Sequence, residues 1–242
     1  MEGPDGVIDE GDLPGHQVRI ALATLALERQ PVAHDTLASI VWNDAPPPRW
    51  KSALAAVVSK TRTLITSTGL DGSSVLTSST GTYAFSPPPE MWIDLERARR
   101  SLDRAEGDLR HERTRAAASE ATVASAILRR PLLPGEECRW LDDARRDKGD
   151  ALYRCYVVLS SAWCRLGDHQ LASGTAESAI RLDPWREVGH RLLIDAERAR
   201  GDRSAALRAF ERCERILADD VGVRPSPETL DLADLLRDPP RR

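Results

Sequence analysis

Two stretches of this chain match at a fixed distance. RLGDHQLASGTAESAI begins at Arg165 and ARGDRSAALRAFERCE at Ala199, so Gly167-Asp168 aligns with Gly201-Asp202 at an offset of 34 residues. In that register Ala172 falls on Ala206, Ala176 on Phe210 and Ala179 on Cys213. A Gly-Asp turn of this kind joins two antiparallel helices, and small residues let those helices approach closely. Between the two stretches, LDPWRE at Leu182 to Glu187 breaks one helix at Pro184 and starts the next. That is where a loop between repeats belongs. A chance pairing of two helix ends is the alternative, and the flanking segments of helical length argue against it.

Thirty-four residues is the tetratricopeptide period, and stacked units of that kind present an extended surface for protein contacts. Composition agrees with a mainly helical chain: Ala, Leu and Arg dominate, and aromatic residues make up only 5%. The consecutive prolines of SPPPE, Ser86 to Glu90, can neither continue a helix nor enter a ladder, so they read as a stiff connector. The expected division is an acidic N-terminal segment (1–12), a first domain (13–86), the connector (87–91), a helical repeat domain (92–237) and a DPPRR tail (238–242) that looks frayed. No window of about eighteen uncharged apolar residues suggests a membrane span. The acidic start MEGPDGVIDEGDL lacks the basic and apolar regions of a signal peptide, so a cytoplasmic location is expected. The four cysteines form no Cys-x-x-Cys pair and the five histidines are scattered, so no metal site and no cofactor are expected.

Before the connector the pattern predicts three helices and a hairpin. PGHQVRIALATLALE, Pro14 to Glu28, is apolar enough for a well-buried helix. Asp35 is placed to cap a short second helix, TLASIVW. Pro46-Pro47-Pro48 is a stop, and the third helix begins at Arg49. GLDGSS is a turn-rich break. SVLTSSTGTYAFSP then reads as two short strands around Ser78-Ser79-Thr80-Gly81, with Tyr83 and Phe85 on one face.

The third helix is unusual in its charge. The chain has a formal net charge of −4, yet the sixteen residues RWKSALAAVVSKTRTL, Arg49 to Leu64, hold four bases and no acid. Trp50, Leu54, Val57, Val58, Leu64 and Ile65 form an apolar face. The other side carries Lys51, Ser52, Ala55, Ala56, Ser59, Lys60, Arg62 and Thr63. An ordinary solvated face mixes Glu with Lys. Small residues and bases without acids let a helix sit in a major groove, with bases reaching phosphates and hydroxyls reaching phosphates or base edges. From chemistry alone two readings stand: a groove-binding helix, and a core helix with a solvated basic edge. A buried helix, a short helix, a basic third helix and a hairpin, in that order, make a winged helix. The third is then the recognition helix and the hairpin the wing, whose Ser78, Ser79, Thr80 and Thr82 offer hydroxyls but no base.

The same residues resemble the OmpR-type winged helix of the SARP/AfsR family of bacterial regulators. The resemblance rests on LPGHQVRIALATLAL, on Leu37 and Ile40-Val41-Trp42, on Ser59-Lys60-Thr61-Arg62 with Thr61 where Leu is usual, and on Gly81-Thr82-Tyr83. Downstream, the chain resembles the bacterial transcriptional activator domain. The matching landmarks are Leu133-Pro134-Gly135, Trp140, Asp183-Pro184, Arg186-Glu187, Gly201-Asp202, Ala206-Leu207, Gly222-Val223 and Pro225-Ser226-Pro227. The small sheet that usually opens the family's winged helix is expected to be shortened or absent here.

The resemblance implies a transcriptional activator that binds double-stranded promoter DNA. Its helical repeats would contact protein partners, namely RNA polymerase and a second copy in a homodimer. The candidate DNA-binding residues are Lys51, Ser52, Ser59, Lys60, Arg62 and Thr63, with Lys60 and Arg62 expected on phosphate or guanine, and Thr80 and Thr82 on the wing. Arg62 has a second possible role in pairing with an acid, and Ser52 in marking the helix start. The alternative is a protein-interaction adaptor whose winged helix binds DNA weakly or not at all, which the mild charge and baseless wing favour. Catalysis is not expected, because no phosphate loop, nucleophile elbow, His-Glu-x-x-His or Cys/His cluster is present. Family members often continue into a nucleotide-hydrolysing domain, so a stand-alone regulator and a fragment both fit.

Overall fold

The computed structural model describes residues 2–9, 11, 13–28 and 30–237. The 238–242 tail lies outside the described residues, as do Met1, Glu10 and Asp12 of the N-terminal segment. The chain divides into two compact units, residues 1–97 with 130–147, and residues 98–129 with 148–242.

The first unit opens with β1 (Glu2–Gly3) and β2 (Gly6–Val7), paired antiparallel. The N-terminal sheet of the winged helix is therefore shortened, not lost. Glu2 also exchanges both backbone hydrogen bonds with Trp92, at 2.9 and 2.8 Å, which ties the start of the chain to the segment after the connector. Next come α1 (Gly15–Leu27), β3 (Val32–Ala33), α2 (His34–Val41), α3 (Trp50–Thr66), α4 (Gly72–Val75), β4 (Leu76–Ser79) and β5 (Thr82–Phe85). The strands form one antiparallel sheet in the order β3-β5-β4. One core holds this winged helix together, built from Ile20, Ala21 and Leu25 of α1, Leu37 and Val41 of α2, Leu54, Val58 and Ile65 of α3, and Leu76 and Tyr83 of the hairpin.

Several local expectations change. Val32 and Ala33 pair with Tyr83 and Thr82, so the hairpin becomes a three-stranded sheet. That pairing sets the start of α2: Ala33 is its extended N-cap, and the amide of His34 donates to Gly81 O at 2.9 Å. Asp35 lies in the first turn and not at the cap. The GLDGSS break contains the single helical turn α4, capped by Asp71, which accepts from the Ser73 amide at 3.0 Å. On α3, Trp50 and Leu64 are half-buried while Thr61 is fully buried. Thr61 tolerates the core because its hydroxyl donates to Val57 O at 3.0 Å, leaving no orphaned polar group where the family usually has Leu.

The second unit is helical: the rest of α5 (Asp94–Arg110), α6 (Thr114–Leu128), the rest of α7 (Arg139–Arg165), α8 (His169–Leu182), α9 (Glu187–Ala199), α10 (Arg203–Ile216) and α11 (Pro227–Arg237). The 34-residue repeat is a structural repeat. Gly167 and Gly201 end α7 and α9 with φ of 83° and 81°, values that favour glycine. Asp168 and Asp202 then cap α8 and α10, accepting from the Leu171 and Ala205 amides at 3.1 and 2.8 Å. The matched residues Ala172 and Ala206, Ala176 and Phe210, Ala179 and Cys213 are all buried. Glu187 fastens α11 to α9 by accepting from the Ser226 amide at 2.9 Å and its hydroxyl at 2.8 Å.

Candidate nucleic-acid interface

The apolar stripe of α3 fixes which side looks outward. With Leu54, Val57, Val58, Thr61 and Ile65 in the core, Ser52, Ala55, Ala56, Ser59 and Thr63 form one exposed stripe at the i, i+3, i+4, i+7, i+11 spacing. At 100° per residue Lys60 flanks this stripe on one side, and Lys51 and Arg62 flank it on the other. Lys51 and Lys60 are exposed, and the Lys51 ammonium lies 5.7 Å from the centroid of the Trp50 ring. The structure thus places small side chains along the middle of the face and cations at both margins.

Arg62 has a second task. It is half-buried, and its Nε donates to Leu76 O at 2.8 Å, which links α3 to β4, the first strand of the wing. Beside it an open depression of about 600 Å3 is lined by Ser59, Arg62, Thr63, Thr66, Ser67 and Ser73. Sequence reasoning named three of these residues and missed Thr66, Ser67 and Ser73. Ser73 lay in the GLDGSS segment read as a turn-rich break, and Thr66 and Ser67 carried no signal of their own. Gly72 brings α4 against α3, and its amide donates to Thr66 Oγ1 at 3.3 Å.

The hydroxyls of α3 are partly committed. Ser52 Oγ donates to Arg49 O at 2.9 Å and Thr63 Oγ1 to Ser59 O at 3.1 Å. Their outward lone pairs remain as acceptors. On the wing, Thr80 and Gly81 form a two-residue turn with φ of 39° and 84°. Thr82 Oγ1 donates to Ser79 O at 2.8 Å, and Thr80 Oγ1 lies 3.4 Å from Ser79 Oγ. Tyr83 anchors the wing beneath, stacked on His34 with centroids 4.2 Å apart. Burial pushes its phenol pKa up, while the nearby Arg62 charge pulls the other way. Arg19 on α1 points elsewhere: it donates to Leu13 O at 3.2 Å and pairs with Glu136 at 3.3 Å.

Burial pushes the Cys155 thiol to about 12 and Cys213 to about 11, so both are small apolar side chains at neutral pH. The acidic pair Asp142 and Asp143 meets Arg145 and Arg146 one turn on, as a solvated helix face does. Among the described residues no group of three His, Cys, Asp or Glu side chains could hold a metal ion, and no helix is long and apolar enough to cross a membrane.

A winged helix with a cationic-edged third helix, followed by paired helical repeats, is an architecture suited to a regulator of transcription. Residues 93–237 match the bacterial transcriptional activator domain, and the chain belongs to that family of SARP-type transcriptional regulators. The transcriptional regulatory protein MoaR1 of Mycobacterium tuberculosis is 25% identical over 231 residues, covering 86% of this chain and 68% of its own length. EmbR of the same organism, also a transcriptional regulatory protein, is 28% identical over 222 residues, covering 86% of this chain and 54% of its own. The solved structure of Mycobacterium tuberculosis EmbR in complex with a low affinity phosphopeptide superposes with a TM-score of 0.86 at 24% identity. It shares the fold over 93% of this chain and 59% of that one. The chain thus spans little more than half the length of EmbR.

Proposed function

We propose that this transcriptional regulator binds double-stranded promoter DNA by laying the outward stripe of α3 in the major groove. Residues 13–86 form the DNA-binding domain in this reading and residues 92–237 the activator domain. The observation that carries it is the stripe of Ser52, Ala55, Ala56, Ser59 and Thr63 between Lys60 on one side and Lys51 and Arg62 on the other. A helix so built can approach base edges closely while its cations meet phosphates of both strands. The wing adds weak contacts through Thr80 and Thr82. The family's description as an activator domain supports activation, by recruitment of RNA polymerase and without catalysis. The second unit supports protein contacts, including self-association: Trp185, Val221 and Val223 are about half exposed, and the Trp185 indole reaches Asp220 at 3.2 Å. One observation favours an adaptor instead, namely a wing tip without Lys or Arg. Fluorescence anisotropy of the full chain with labelled duplex DNA at low salt separates the two. Saturable binding at or below micromolar protein is expected, and its absence would leave the adaptor.

A further inference from the structure

The stripe on α3 has no side chain suited to guanine. Arg and Lys read the O6 and N7 acceptors of guanine, and Asn and Gln read adenine through paired donor and acceptor groups. None of the four occurs among Ser52, Ala55, Ala56, Ser59 and Thr63. The cations sit at the margins, where phosphates run, and Arg62 has its Nε engaged by Leu76 O.

What the stripe does offer is specific. Ala55 and Ala56 expose two methyl groups at its centre. Ser52 and Thr63 have turned their hydroxyl protons back to the carbonyls of Arg49 and Ser59, so they face outward as acceptors. An A·T pair is the base pair that presents both partners in the major groove, a C5 methyl on thymine and an N6 amino donor on adenine. A G·C pair also presents an amino donor, on cytosine N4, but it has no methyl, so the contacts of Ala55 and Ala56 decide between the two pairs.

We infer that the centre of the bound DNA site is A·T, with thymine methyls packed on Ala55 and Ala56 and adenine amino groups donating to Ser52 and Thr63. Specificity then resides in the two alanines, and the cations supply affinity without sequence information. This rests on the groove reading above and goes beyond it by naming the base pairs read.

The test begins with selection of duplexes from a random DNA library by the full chain. The enriched core is expected to be A·T. Each thymine of that core is then replaced by deoxyuridine, which removes only the methyl group. Affinity should fall about fourfold for each methyl that packs on an alanine, from the transfer free energy of one methylene-sized group. Ala55→Ser and Ala56→Ser, both at exposed positions, should abolish that discrimination while leaving the salt dependence unchanged. A G·C core, binding without enrichment, or unchanged affinity for the deoxyuridine duplex would overturn the inference and leave DNA binding standing. No binding of any duplex would overturn the groove reading itself.

Discussion

Gly72→Ala probes how tightly the segment leading into the wing is held to α3. Gly72 is buried at the start of α4, where α4 crosses the end of α3. A Cβ built there falls on the carbonyl oxygen of Arg62, 2.9 Å from its carbonyl carbon and 2.9 Å from Thr66 Oγ1. Two effects oppose each other. Replacing glycine by alanine in a helix gains about 1 kcal/mol at most, and less in a single turn. Overpacking against backbone that cannot move aside costs about 1 to 3 kcal/mol. The clash wins, because the contact is to the carbonyl of a residue inside a 17-residue helix rather than to a flexible side chain. A net loss of about 1 to 2 kcal/mol follows, which lowers a urea midpoint by roughly 0.5 to 1 M. Four of the six tryptophans, Trp42, Trp50, Trp92 and Trp140, lie in the first unit, so fluorescence-monitored urea unfolding reports chiefly on it. The displacement of α4 should also loosen the Arg62 contact to Leu76 O and weaken DNA binding. An unchanged or higher midpoint would refute the close approach of α4 to α3.

The other expectations are simpler to state. Gly167→Ala and Gly201→Ala meet nothing within 4 Å, so each should cost only the left-handed backbone term, about 1 to 2 kcal/mol and equal at the two sites. Gly174→Ala, at an exposed position in the middle of α8 with nothing within 4 Å of the added Cβ, should stabilise by up to about 1 kcal/mol in the same denaturation experiment. Thr80→Asn should raise stability by about 0.5 to 1 kcal/mol, since asparagine tolerates φ near 39° better than a β-branched residue. His190 is fully buried, donates through Nε2 to Pro184 O at 2.9 Å, and has its pKa lowered below 6.5 first by burial and then by Arg212. The unfolded state therefore binds a proton more readily there, and stability present above pH 6.5 falls as the pH drops below it. His190→Gln should flatten that fall between pH 7 and pH 5; an identical fall in the variant would show that other groups cause it.

Much of this fold can be read from the chain because the relevant signals are local. The repeat is written in Gly-Asp pairs, and the same residues that recur at 34 supply the turn backbone and the helix caps. The α3 face follows from periodicity alone, since five core positions leave only one side to solvent. What escaped was decided by distant partners. Val32-Ala33 is a strand only because β5 lies beside it, and two residues carry no strand signal of their own. Asp35 lost the cap for the same reason. Thr61 looked like a departure from an apolar pattern, and its burial depends on a hydroxyl bond one turn back. In the candidate site, the identity and side of each residue were legible, but the direction of the Ser52 and Thr63 protons and the tether of Arg62 to the wing were not. Both alter chemistry without altering sequence pattern.

Because Arg62 also braces the wing, it is a poor first target, whereas Lys51 and Lys60 are exposed and make no hydrogen bond or ion pair among the described residues. The most direct measurement is the salt dependence of duplex DNA binding for the full chain and for Lys51→Ala/Lys60→Ala. If α3 lies in the groove with these lysines on phosphates, binding weakens steeply with salt, and the log–log slope of the variant is shallower by about two. A wild-type chain that binds no duplex at low salt, or a variant whose slope and affinity equal those of the wild type, would contradict the placement of α3 in DNA.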